Sequence, residues 1–423
     1  MQFQKHNLPN NSKLIIVPQK STKVFAVLVL FKVGSRYETP NTNGISHYIE
    51  HLMFKGTIKR PTTLTISREL DGYGAEFNAF TSKDYTGYYV KINCEQREKA
   101  LDILSDMLHN SKFDEKELNR ERNVIIEEIH MYRDNPIMHI EDMIEEEVFD
   151  NSSLGWSIAG DEKSMAKIGR KEIINYFKTH YIPQNSVVIF SGNMEGCDPI
   201  ALAKKYFNDN NVSKNKKPTE FSKIDKPFTS GIKIEHKETG QFQLAIGFPA
   251  LKYRDPQMPA LVLLSNILGE TMSSRLFIKV RERKGLAYFV RSMISPYQDT
   301  GAFIIRAGLN KENLDLAIKT ILKELKEIKL KGPSEREINR ARENIKGGLV
   351  LELEDASSVA AWYGKQELLT GDILDVENYM EKLKKVTKND IINVANKIFN
   401  FEKINAALIG PMKDKSKIEK LLK

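Results

Sequence analysis

Asp114-Glu-Lys-Glu-Leu-Asn-Arg-Glu-Arg122 is matched, 220 residues further on, by Ser334-Glu-Arg-Glu-Ile-Asn-Arg-Ala-Arg342. Each stretch begins with a residue suited to cap a helix, carries Glu three residues later, and runs into a long helical pattern. Each also follows another helical stretch, Gln96 to His109 in one case and Leu314 to Lys329 in the other. Further out, an apolar strand precedes a helix in both halves. Val24–Val33 leads to a helix near Gly44–Phe54, and Phe242–Phe248 to one near Pro259–Leu268. Alternating strands recur at Tyr85–Ile92 and Ala302–Leu309. A period this long indicates a duplicated domain and not a solenoid. The expected fold is α+β, with two duplicated domains, each a largely antiparallel sheet packed with helices.

The length of 423 residues agrees with two domains of about 200 residues. A hydrophobic share of 41%, with 20 Phe and 15 Tyr, lets both bury a core. The polar, turn-rich stretch from Asn208 to Gly231 is where they should join. We expect domains at 1–212 and 231–423, with a linker at 213–230. The formal charge of +8 is mild, and Lys is scattered, which reads as a solvated surface and not a nucleic-acid stripe. Two cysteines without CxxC spacing give neither a disulfide framework nor a thiolate metal site. Met1–Lys20 has no apolar signal core and no Arg, and the longest apolar run, Val24–Phe31, is far too short to span a membrane. The expectation is a soluble, cytoplasmic protein that binds neither membrane nor nucleic acid.

The chemistry is concentrated in His47-Tyr-Ile-Glu50-His51. On a helix, residues four apart share a face, so both imidazoles can reach one ion. Neutral imidazole is a good zinc ligand, and catalytic zinc usually keeps three protein ligands and an open position. Glu50 can stand beside the metal without binding it and take a proton from water. H-x-x-E-H is the inverted zinc signature. Gly44, Ile45, Ile49, Leu52, Met53 and Phe54 mark the helix as largely buried, where polar groups need partners. A third ligand should come from the helix Asn119–Arg133, whose apolar stripe contains Ile125, Ile129 and Tyr132. Glu128 falls inside that stripe, with Glu121 seven residues before it on the same face. Glu127 points about 100° away. Glu128 is therefore the expected ligand, and Glu121 the residue that orients a histidine.

The repeat tests this independently. At the 220-residue offset Glu121 becomes Ala341 and Glu128 becomes Gly348. Aligned on Gly56 and Gly269, the second half has Ala260, Leu263 and Leu264 where the first has His47, Glu50 and His51. One half carries ligands and the other carries apolar or small residues.

These residues resemble the pitrilysin and insulin-degrading-enzyme family, in particular its short two-domain branch of mitochondrial processing peptidase subunits and bacterial relatives. Leu8-Pro-Asn-Asn-Ser-Lys-Leu-Ile-Ile-Val-Pro18 resembles the family's opening hairpin, and Gly44 to Gly56 its inverted zinc motif. Glu121-Arg-Asn-Val-Ile-Ile-Glu-Glu128 matches its Glu-x6-Glu spacing. Asn78-Ala-Phe-Thr-Ser82 is similar to the segment beside the zinc where the family lays substrate along a strand edge, which implies a peptide-binding role for Asn78, Ala79 and Phe80; from the residues alone it is a plain strand and turn. Ser274-Arg-Leu-Phe-Ile-Lys-Val-Arg281-Glu-Arg-Lys-Gly-Leu-Ala-Tyr288 resembles the motif carrying the family's Arg–Tyr pair. By spacing alone these are a surface Arg and a core Tyr. The resemblance instead implies that Arg281 and Tyr288 act in catalysis, holding the substrate and its oxyanion. It implies a Zn2+-dependent endopeptidase for peptides or unfolded segments, acting in a chamber formed by a homodimer. The alternative is a non-catalytic, processing-peptidase-like scaffold of the same fold.

Overall fold

The computed structural model describes all residues except 1, 151, 209–217, 219, 225–227 and 423. Half of the expected linker at 213–230 therefore lies outside the described residues. The chain forms two compact units that interleave in sequence. One comprises 1–129, 157–222 and 349–376, and the other 130–156, 223–348 and 377–423.

The first unit is built on six strands: β1 (Gln4–Asn7), β2 (Lys13–Pro18), β3 (Val24–Phe31), β4 (Glu76–Thr81), β5 (Thr86–Asn93) and β6 (Ser186–Gly192). Their spatial order is β1-β2-β6-β3-β5-β4, with β2 and β6 parallel and every other pair antiparallel. The second unit repeats the plan with β7 (Ile232–His236), β8 (Gln241–Ala250), β9 (Ala287–Pro296), β10 (Gly301–Asn310) and β11 (Asn405–Gly410). Its order is β7-β11-β8-β10-β9, again with one parallel pair, β7 and β11. The fold is thus α+β in two duplicated, largely antiparallel sheets.

Both sheets are covered on both faces, which explains why β3 reads as an unbroken apolar run. Phe25, Val27, Val29 and Phe31 pack with α1 (Ile45–Met53) and the helix Arg97–Asn110. Leu28 and Leu30 face the other way, against Val359, Ala360 and Tyr363 of the helix Ala356–Thr370. In the second unit the helix Pro136–Val148 plays that part, setting Ile140, Met143, Ile144 and Val148 against Ala245, Ile304 and Ala407. Strands β1–β6 lie within residues 1–212 and β7–β11 within 231–423. The units themselves each include one sheet-covering helix from the other part of the sequence.

What positions the site is the start of α1. Gly44 precedes it with φ of +95°, and a Cβ there would lie 2.6 Å from the Ala159 carbonyl oxygen, so only glycine fits. No side chain of α1 caps the helix. Glu38 does so from outside. Its Oε2 accepts from Gly44 N at 2.7 Å and Asn43 Nδ2 at 3.0 Å, and its Oε1 accepts from Ser46 N at 2.9 Å. Burial pushes the Glu38 carboxyl up to about 7 despite these donors, and the Tyr176 hydroxyl is bonded to Ser46 Oγ at 3.0 Å.

This has a testable sign. Below the ordinary carboxyl pKa of 4.5, Glu38 is protonated in both folded and unfolded chains and costs nothing. As pH rises from there to about 7, the unfolded chain ionises first, and roughly 3 kcal/mol of stability is lost. Urea unfolding at pH 5 and 8 should show Glu38→Gln gaining on the wild type as pH rises. Parallel pH profiles for the two proteins would contradict the cap's burial.

Candidate metal centre

The helix α1 buries Ile45, Tyr48, Ile49 and Leu52 and leaves His47, Glu50 and His51 half-buried on its other side. That side faces the long helix α2 (Glu115–Asp134), which buries Leu118, Glu121, Ile125 and Ile129. The two helices are tied by the Tyr48 hydroxyl, which donates to the Leu118 carbonyl. Arg122 anchors α2 by donating to the carbonyls of Met165 at 3.1 Å and Ile168 at 2.8 Å.

At this crossing His47 Nε2 lies 3.7 Å and His51 Nε2 3.5 Å from Glu128 Oε2. The imidazole rings meet edge to face, with centroids 4.6 Å apart. All three donor atoms lie within 4.8 Å of one another, and among the described residues this is the one such group of His, Cys, Asp or Glu side chains. Donors about 2.0–2.1 Å from a tetrahedral zinc lie roughly 3.3 Å apart, so little movement would be needed to hold one. The chemistry fits as well. Burial, aided by the neighbouring His51, pushes His47 down to about 3, which keeps the imidazole neutral at physiological pH, the form a metal would take. Glu127 is exposed and outside the donor group.

Glu121 is only 4% exposed, and its Oε2 lies 3.2 Å from His51 Nδ1. A proton on that nitrogen leaves the His51 Nε2 lone pair facing Glu128. Burial alone would raise the Glu121 carboxyl. The hydrogen bonds from His51 and Lys55 outweigh it and hold the group below the usual range. His47 Nδ1 is buried and has no hydrogen-bond partner among the described residues.

Glu50 accepts a 2.5 Å hydrogen bond from Thr81 Oγ1 at the end of β4. Burial raises its carboxyl above the ordinary value, against the lowering effects of Thr81 and His51. β4 ends its sheet, paired on one side only, by β5. On it Asn78 is exposed, Ala79 is buried, and Phe80 packs edge-on to Tyr85. In the second unit Arg281 lies over the rings of Phe277 and Tyr288, at 4.9 and 5.7 Å. Tyr288 is 72% exposed, which corrects the core placement that spacing alone gives. The reason is a bulge. Gly308 pairs with Phe289 and Leu309 with Ala287, so Tyr288 is the extra residue and turns out of the alternation.

Sequence reasoning missed three residues. Thr81 was visible in principle, two positions from Ala79 on the same strand face. Lys55 lies four residues after His51. Glu38 carries no local signal, because its role exists only once the loop folds back onto α1.

In the second unit, Ala260, Leu263, Leu264 and Ala341 are buried in the apolar core where the first unit has its donors. The sheet registers are compatible with that alignment when Phe31 is set against Phe248. Phe31 pairs with Thr86 and Thr86 with Thr81, just as Phe248 pairs with Phe303 and Phe303 with Ile294. On that setting Thr81 corresponds to Ile294, which has no hydroxyl to hold a carboxylate.

Comparison with known proteins agrees. Residues 14–162 match the family described as insulinase (peptidase family M16), and residues 167–345 match the peptidase M16 inactive domain. The chain is 36% identical over 410 residues to the uncharacterized zinc protease YmxG of Bacillus subtilis, covering 97% of this chain and 98% of that one. It is 29% identical to a probable mitochondrial-processing peptidase subunit beta of Arabidopsis thaliana, covering 96% and 78%. The crystal structure of a protease from Helicobacter pylori superposes with a TM-score of 0.88 at 25% identity, covering 97% of this chain and 99% of that one. Duplicated fold, donor cluster and whole-length similarity together make this chain a member of peptidase family M16.

Proposed function

We propose that the chain is a zinc-dependent endopeptidase acting on peptides or unfolded segments, with His47, His51 and Glu128 as zinc ligands and Glu50 as catalytic base. The observation that carries this reading is the three-donor group with Glu50 beside it in one unit, where the other has Ala260, Leu263 and Leu264 in an apolar core and a glycine, Gly348. Zinc held there supplies Lewis acidity and lowers the pKa of water at the site toward neutrality. Glu50 takes the proton from the attacking water as its oxygen bonds to the peptide carbonyl carbon. It then delivers that proton to the amide nitrogen as the C–N bond breaks. Thr81 fixes the Glu50 rotamer. Asn78, Ala79 and Phe80 offer the open edge of β4, where an extended peptide can pair through its main chain. Arg281 and Tyr288 hold the substrate and its developing oxyanion.

In our reading the second half, which lost the ligands, contributes that Arg–Tyr pair to a partner chain, so the working form is a homodimer enclosing a chamber. Among the described residues no helix is long and apolar enough to cross a membrane. Cys94 and Cys197 are both free, which fits a proposed cytoplasmic setting.

Glu50→Gln should keep zinc and lose hydrolysis by about 10²–10⁴ or more. Peptide turnover near the wild-type level by zinc-loaded mutant protein would rule out the base. Glu128→Gln should lose zinc affinity while Glu127→Gln behaves as wild type, read by metal analysis of the purified proteins. Equal zinc loss in the two would show the wrong carboxylate was chosen. The dimer is tested by subunit exchange between two inactive proteins, Glu50→Gln and the double variant Arg281→Ala, Tyr288→Phe. Sites shared across chains leave each mixed dimer one intact site, so random exchange restores about a quarter of wild-type activity. If activity stays at the level of the separate mutants after labelled subunits have exchanged, each site is built from one chain.

A further inference from the structure

Lys55 touches no candidate ligand, yet it is placed to decide how one of them points. Its Nζ lies 2.7 Å from Glu121 Oε1, while the other oxygen of the same carboxylate lies 3.2 Å from His51 Nδ1. The lysine side chain is 22% exposed and the Glu121 side chain 5%, so this ion pair lies away from bulk water. A carboxylate that deep is unfavourable unless a cation and hydrogen bonds compensate it. With Oε1 engaged by the ammonium, the carboxylate plane is fixed and Oε2 is turned to the imidazole. Without the lysine, Glu121 can rotate away, and His51 loses both its orientation and the hydrogen bond that selects its tautomer.

The duplicated unit supplies the control. At the offset that aligns Gly56 with Gly269, Lys55 corresponds to Leu268 and His51 to Leu264. At the offset of the long helices, Glu121 corresponds to Ala341. All three are buried, at 0%, 0% and 2% exposure, in one apolar core. A lysine kept for folding alone would have no reason to disappear together with the histidine and the glutamate. Lysine, glutamate and histidine are present together in one unit and absent together from the other.

We propose that Lys55 is a positioning residue for the metal centre, acting through Glu121 to hold His51 in its metal-binding orientation. The proposal rests on the zinc reading above. Its test uses the full-length chain, stripped of metal and titrated with zinc against a chromophoric chelator, with cobalt spectra taken in parallel. Lys55→Met should weaken zinc binding about 10–100-fold, the usual effect of losing such a support. Lys55→Arg should recover most of that loss. In a Glu121→Gln background Lys55→Met should cost nothing further, because its route to the metal is already cut. Thermal unfolding of the metal-free proteins reports any general damage, which Arg and Met would not separate in the same way as the zinc titration does. If wild type binds zinc tightly and Lys55→Met binds within twofold of it, the proposal falls and the zinc site stands. The proposal also falls if the Lys55 loss is undiminished in the Glu121→Gln background. If wild type binds no zinc at His47, His51 and Glu128, the reading of the site and this inference fall together.

Discussion

The crossing of α1 over α2 is the constraint on which the site depends. It sets two imidazoles and two carboxylates against each other at the edge of a core, where the same groups in water would be spread apart. Tyr48 donates to the Leu118 carbonyl across the crossing, and Ile49, Leu52, Ile125 and Ile129 close it with apolar packing. The polar groups are tolerated because each finds a counterpart: Glu121 between Lys55 and His51, Glu50 with Thr81, Glu128 facing both histidine nitrogens. A divalent cation held by His47, His51 and Glu128, as we propose, would complete that compensation.

The second unit shows the same scaffold without the constraint. Where the first sets His51, Glu50 and Glu121, it sets Leu264, Leu263 and Ala341, all buried and in one cluster. The order of the five shared strands and the single parallel pair survive the change. The polar groups are thus not what the fold requires. Their presence in one unit costs desolvation that only a function there can justify.

Much of this could be read from residues alone. The 220-residue match, the alternation at Tyr85–Ile92 and the unbroken run at Val24–Phe31 are local patterns, and they gave the duplication and the sheets. The ligand candidates were readable because helical periodicity places His47 with His51 and Glu121 with Glu128 without reference to the rest of the chain. What escaped depends on distant parts of the chain. The stripe Ile140, Met143, Ile144, Val148 reads as a helix, but nothing in it says which sheet it covers. Glu38 becomes a cap only when its loop meets α1, and Lys55 matters only through Glu121. Tyr288 misled because alternation assumes an even ladder, and a bulge breaks the ladder at that residue.

The most direct measurement is anomalous diffraction at the zinc edge from crystals of the protein grown with zinc. The account predicts one strong peak per chain within bonding distance of His47 Nε2, His51 Nε2 and Glu128 Oε2, with Glu50 beside it but not coordinating. A peak elsewhere, or no peak at this crossing in protein that binds zinc in solution, would contradict it.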